Sequence, residues 1–177
     1  MLHEKMTKAL NQQINMELYS AYLYMSMSNH SAQMGLKGFA TWFMVQYHEE
    51  MYHGMKIYDY VQRQGEPVRL EAIEAPPATF ESPLDMFTKT LAHEQQVTRS
   101  FNELMELASG QKDHATKIFL EWFITEQIEE EENDNDIIQQ LKLIGDNPHA
   151  LLMLDRELAA RTISIPLDYS QGLAAEA

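Results

Sequence analysis

Four long stretches of this chain carry apolar residues at helical spacing, and acid interrupts each stripe near its middle. The interruptions are Glu17; Glu50 with His53; Glu94; and Gln127 with Glu130. Glu17 stands three residues after Ile14 and four before Ala21, so it points where the apolar residues point. Glu50 and His53 lie at i, i+3 between Phe43 and Ile57. Glu94 lies midway between Leu91 and Val97, and Gln127 and Glu130 fall between Phe123 and Ile137. One such glutamate alone reads as a stripe-edge residue reaching solvent. Four at matching heights in one bundle do not, because ionised carboxylates in a core cost several kcal/mol each unless something pairs with them. Glu17, Glu50, Glu94 and Glu130 together carry −4, a sum that two divalent cations cancel. The expectation is an all-α four-helix bundle built around a dinuclear metal site.

The stripes predict helices over about 4–33, 37–64, 83–109 and 113–144. Gly35 and Gly38 punctuate the first junction, and Gly65-Glu66-Pro67 stops the second helix. Ser82-Pro83 is a good N-cap followed by proline at the first helical position, and Ser109-Gly110 and Gly145 close the third and fourth helices. The eighteen-residue connection 65–82 contains Pro67, Pro76 and Pro77 and lacks helical periodicity. A helix of about 27 residues measures roughly 40 Å, a distance that an extended chain of this length spans. The connection is therefore expected to run back along the bundle and leave helices two and three parallel. Asp146-Asn147-Pro148 opens a short fifth helix, about 148–160, with Leu151, Leu152, Leu154 and Leu158. Its apolar face has no obvious place in a completed four-helix core and is expected at subunit contacts. One domain thus covers 1–160, and the unpatterned tail 161–177 is expected to be flexible.

A chain of 177 residues suits one domain with a full core. Its formal net charge of −14 argues against nucleic acid or an anionic membrane as partner and favours cations. The absence of cysteine excludes disulfides, thiolate metal sites and a cysteine nucleophile. The N-terminus lacks the apolar block of a signal peptide, and no apolar run approaches the roughly 20 residues of a membrane span. A cytoplasmic location is expected.

Oxygen-rich ligation with a single imidazole suits iron, manganese or zinc. Glu50 is the candidate bridge between two ions, because its own helix supplies His53 one turn away. Tyr24, seven residues after Glu17 and about 20° off its face, either packs in the core or hydrogen-bonds a metal ligand. In the acidic run 129–132 only Glu130 sits fully on the core stripe. Glu126 and Glu129 flank it, and Glu49 flanks Glu50. Met51 is turned about 100° from the metal face, and methionine is more often a core gap-filler than a haem ligand. Only His53 has a ligand context. His93 turns away from the face of Glu94, and His3, His30, His48, His114 and His149 read as surface or capping residues.

The motifs Asn15-Met16-Glu17-Leu18-Tyr19-Ser20, His48-Glu49-Glu50-Met51-Tyr52-His53, His93-Glu94-Gln95 and Glu126-Gln127-Ile128-Glu129-Glu130 resemble those of bacterial non-haem ferritins, and the resemblance runs over about 1–160. Ferritin-like dimetal proteins take one Glu from each of two helices and Glu-x-x-His from each of the other two. The present chain departs at Gln127-x-x-Glu130, where haem-containing bacterioferritins carry a second Glu-x-x-His. The resemblance implies that Glu17, Glu50 and His53 hold one iron, that Glu50, Glu94 and Glu130 hold a second with Gln127 beside it, and that Glu49, Glu126, Glu129 and Glu130 match a third. It implies a cytoplasmic homo-oligomeric cage of 24 subunits that oxidises Fe(II) with dioxygen or hydrogen peroxide and stores a ferric oxide-hydroxide mineral. Reduction of dioxygen draws electrons from both metals, which favours iron over zinc, and the departure at Gln127 favours the non-haem branch, so no haem is expected. The alternatives are a haem-containing bacterioferritin, a solitary di-iron or di-manganese oxygenase or peroxidase, and a metal-free structural bundle. Animal ferritins line their three-fold channels with carboxylates early in the fourth helix. The matching stretch here, 114–120, contains Lys117 and Leu120, which leaves the route of iron access open.

Overall fold

Side-chain acceptors at the helix starts set the element boundaries. In a computed structural model that describes residues 2–169, His3 opens α1 (Glu4–Gln33), Ser82 opens α3 (Pro83–Gly110), Asp113 opens α4 (His114–Ile144) and Asn147 opens α5 (Pro148–Leu158). Each accepts a first-turn backbone N–H that has no partner within its own helix. The remaining helix, α2 (Lys37–Arg63), begins at Leu36, which offers no such acceptor. Its cap comes from α5. Asp155 Oδ1 accepts from Gly38 N at 2.7 Å and from Phe39 N at 3.1 Å. Gly38 has no side chain to obstruct that approach, since a Cβ there would lie 1.5 Å from the Asp155 carbonyl oxygen.

Cross-helix bonds give the register. Gln13 pairs with Ser100, Ser20 with His93, and Thr90 with Met27, so α1 and α3 run antiparallel. Gln46 with Glu130 and Tyr60 with Thr116 make α2 and α4 antiparallel. The connection between α2 and α3 climbs α1 from its N-terminal end. Asn11 accepts from Arg69 N at 2.6 Å, Asn15 donates to Ala72 O at 3.3 Å, Ser26 donates to Pro77 O at 2.6 Å, and the His30 ring lies 5.5 Å from that of Phe80. It therefore spans the bundle as its length demanded, and α2 and α3 are parallel.

The core divides into two apolar clusters. Tyr24, Phe39, Trp42, Phe43, Phe87 and Leu141 fill one end, and Leu10, Ile14, Ile57, Val97, Phe101 and Phe123 fill the other. Every acid-bearing helix crosses from one cluster to the other at its acid. Each fully buried aliphatic or aromatic side chain contributes about 1.5–3 kcal/mol, so cohesion resides at the two ends and the acids form the layer between them.

One expectation is corrected in part. The fifth helix finds a place within its own subunit: Leu154 and Leu158 are buried against the cluster of Trp42 and Phe43, while Leu152 and Met153 stay exposed. At the start of the tail, Arg161 lies over Trp42 and bonds Glu49. Residues 170–177 of that tail lie outside the described residues. Among the described residues, no helix is long and apolar enough to cross a membrane.

Candidate metal centre

The acid layer draws one carboxylate from each long helix. Glu17, Glu50 and Glu94 are at most 1% exposed, and Glu130 is 6% exposed. Gly54, beside His53, faces Glu17 and Leu18 of α1, where even an added Cβ would make only ordinary contact at 3.4 Å. His53 Nδ1 stands 3.7 Å from Glu17 Oε2 and 3.6 Å from Glu50 Oε2. One ligand atom from each of these three residues lies within 4.8 Å of the other two.

Neutral side chains hold the outer oxygens of the layer. Gln13 donates to Glu17 Oε1 at 2.5 Å and is itself held by Ser100, which donates to Gln13 Oε1. Gln46 donates to Glu130 Oε2 at 2.8 Å, Gln127 donates to Glu94 Oε2 at 3.0 Å, and the Tyr24 hydroxyl donates to Glu94 Oε1. The atoms turned inward are different. Glu17 Oε2, Glu50 Oε2 and His53 Nδ1 are buried without a hydrogen-bond partner. Buried polar atoms are almost always satisfied, so three orphans facing one another form a cradle that fits a cation.

Protons stand in when no cation is present. Burial pushes the Glu50 carboxyl well up, and the charge of Glu94 adds to the effect. Burial likewise raises Glu94, and burial with the charge of Glu94 takes Glu130 up to about 7. Burial opposes a charged His53, but Glu50 and Glu17 outweigh it and hold the imidazole well above its ordinary value. A metal ion entering this layer displaces those protons and takes their place as counter-charge.

The structure thus brings Glu17, Glu50, His53, Glu94 and Glu130 into one layer, with Gln127 and Tyr24 bonded to Glu94. Of the two readings of Tyr24, the hydrogen bond to a candidate ligand is realised, and its ring also stacks on Phe43. Glu49, Glu126 and Glu129 stand apart from the layer. They line a neighbouring cavity of about 290 Å³ between α2 and α4, which also touches His53 and Glu130. Burial takes Glu49 up to about 7 against the opposing charge of Arg161. His93 turns away from the layer as expected, accepting or donating at Ser20 Oγ over 2.7 Å.

Sequence reasoning missed Gln13, Gln46 and Asp134. Each lies four residues from a candidate ligand on the same helix, and that spacing was the available signal. Asp134 is 1% exposed, and neither of its carboxylate oxygens has a hydrogen-bond partner. Burial, then the charges of Glu94 and Glu130, push its carboxyl up to about 9. The fold therefore keeps a proton that the unfolded chain releases near pH 4. This group's contribution to metal-free stability is complete below about pH 4 and is lost as the pH rises through about 9. Asp134→Asn has no such proton to lose. Its metal-free melting temperature is expected to lie nearest the parent's at about pH 4 and to exceed it by roughly several degrees at about pH 9. Parallel melting curves across that range would remove Asp134 from the titrating set.

Comparison with known proteins places this geometry in context. The family described as Ferritin, a ferritin-like domain, matches residues 7–144. The bacterial non-heme ferritin of Staphylococcus epidermidis is 42% identical over 164 residues, covering 93% of this chain and 99% of that protein. The bacterial non-heme ferritin of Staphylococcus haemolyticus is 43% identical over 162 residues, covering 92% and 98%. Among solved structures, a closed form of Archaeoglobus fulgidus ferritin engineered by site-directed mutagenesis superposes with a TM-score of 0.91 at 48% identity, covering 93% of this chain and all of that one. The open-pore ferritin of the same archaeon gives the same TM-score and identity, covering 92% of this chain.

Proposed function

The chain belongs to the ferritin family, and from that premise we propose that each subunit takes Fe(II) into its acid layer, oxidises it there, and passes the product to a mineral store shared by 24 subunits. It is an iron-storage protein whose buried acid and histidine cluster serves ferroxidase-type oxidoreductase chemistry. Iron is the substrate and the cargo. Each ferrous ion gives one electron to dioxygen or hydrogen peroxide, and hydrolysis of the ferric product releases protons.

The reading is carried by one observation: Glu17 Oε2, Glu50 Oε2 and His53 Nδ1 are buried, close together and without partners. We assign the first ion to these three residues. Glu50, Glu94 and Glu130 take the second, with Gln127 and Tyr24 orienting Glu94 through hydrogen bonds. Two ions balance the four carboxylates. Gln13 and Gln46 keep Glu17 and Glu130 from rotating when the layer is empty. Glu49, Glu126 and Glu129, with Glu130, form a third position beside those two ions, supported by the cavity they line together. The acidic surface charge and the absence of a membrane-crossing helix among the described residues suit a cage in the cytoplasm.

Aerobic addition of Fe(II), followed by near-ultraviolet ferric absorbance, tests the reaction. Oxidation well above the rate in buffer is expected, and no acceleration would overturn the ferroxidase reading. Gel filtration tests the cage separately. Subunits of 20.5 kDa should elute as a particle of about half a megadalton, and a particle below about 100 kDa would exclude the large cage while leaving the oxidation result to stand.

A further inference from the structure

The chain beyond α5 lies across the mouth of the acid-lined cavity. Arg161 Nη2 donates to Glu49 Oε2 at 2.6 Å, with the two side chains 21% and 14% exposed. The guanidinium carbon lies 4.5 Å from the centre of the Trp42 ring. Ser164, Ile165 and Pro166 close the cavity wall alongside Glu126 and Glu129. Arg161 Nη1 is buried without a hydrogen-bond partner, so the guanidinium is only partly used where it lies. An arginine keeps its charge at every relevant pH. A permanent cation therefore already occupies one of the four carboxylates assigned to the third iron.

We propose that Arg161 is a built-in competitor for the metal ion held by Glu49, Glu126, Glu129 and Glu130, so that an ion binds there in full only when the guanidinium releases Glu49. The inference rests on reading those four acids as a metal position, and it adds what controls that position. The competing charge and the ion need the same oxygens, and two cations sharing one carboxylate in a half-buried cavity repel each other strongly. Stacking on Trp42 gives the guanidinium a place to remain after it lets go, because a cation on an indole face is stabilised without a carboxylate. Iron at this position is thus held weakly by design of the chain itself, which suits a place of passage rather than of storage. The strap 161–166 sets how long each ion stays.

A binding measurement independent of turnover decides the matter. Terbium(III) is titrated into the full-length assembled protein, and its luminescence is read on excitation of tryptophan, since Trp122 lines the same cavity. The signal that disappears in Glu126→Gln/Glu129→Gln defines the site. For that signal, Arg161→Gln is expected to tighten terbium by about tenfold, and Arg161→Lys, which keeps the charge but loses the planar fork, to fall between it and the parent. Circular dichroism verifies that each variant is folded. An affinity unchanged by Arg161→Gln, with the site-specific signal intact, would overturn the competitor role and leave the metal position standing. A signal that survives Glu126→Gln/Glu129→Gln would remove the metal position itself, and the competitor with it.

Discussion

Glu50→Ala and His53→Ala should each slow the initial aerobic oxidation of Fe(II) by about a hundredfold or more, since even groups that merely orient metal ligands are worth 10- to 100-fold. Glu50 is the more severe loss, because it is assigned to both proposed ions. His53→Ala deletes the one nitrogen ligand and leaves Glu17 and Glu50 facing each other without the imidazole between them. Neither residue belongs to the two apolar clusters, although the His53 ring packs on Phe123 of one of them, so assembly should persist. Metal-free Glu50→Ala is expected to melt no lower than the parent, because the substitution removes a buried carboxyl that lacks a full set of partners. Stopped-flow absorbance and a melting curve check both halves. Initial rates equal to the parent's in both variants would dismantle the ligand assignment.

Gly38→Ala is expected to be the most damaging substitution outside the metal layer. The added methyl would fall 1.5 Å from the Asp155 carbonyl oxygen, a backbone atom that cannot yield without moving α5. Undocking α5 withdraws the Asp155 cap on the start of α2 and uncovers Leu154 and Leu158. At about 1.5–3 kcal/mol for each buried leucine, the loss is on the order of 3–6 kcal/mol. The same movement would draw Arg161 away from Glu49. Thermal melts and gel filtration should therefore show a destabilised subunit and impaired assembly. Asp155→Asn keeps the shape and an acceptor oxygen but loses the charge near a helix N-terminus, and it should cost only about 0.3–1 kcal/mol. A Gly38→Ala protein as stable as the parent would mean that α5 has another seat.

The metal layer was legible because helical phase is a geometric fact. A glutamate three or four residues from buried neighbours on both sides must share their direction, and Glu17, Glu50, Glu94 and Glu130 all do. The long connection was legible from length and proline content. Phase also held the information for Gln13, Gln46 and Asp134, but a lone polar residue at the edge of a stripe looks the same whether it ends in water or on a carboxylate. Asp134 was further masked by its setting between Asn133 and Asn135, which reads as a solvated face. The docking of α5 was not legible at all. Asp155 caps α2 at Gly38, 117 residues earlier in the chain, and no local pattern announces a partner at that separation. Arg161 lies in a stretch without periodicity, so its pairing with Glu49 belongs wholly to tertiary structure.

The division of the core into two oily ends bears on what iron does for the subunit. Each end closes on its own aromatic and aliphatic contacts. On the proposed reading, iron is therefore a passenger rather than a rivet: the two ends keep the helices in step whether or not the waist holds an ion.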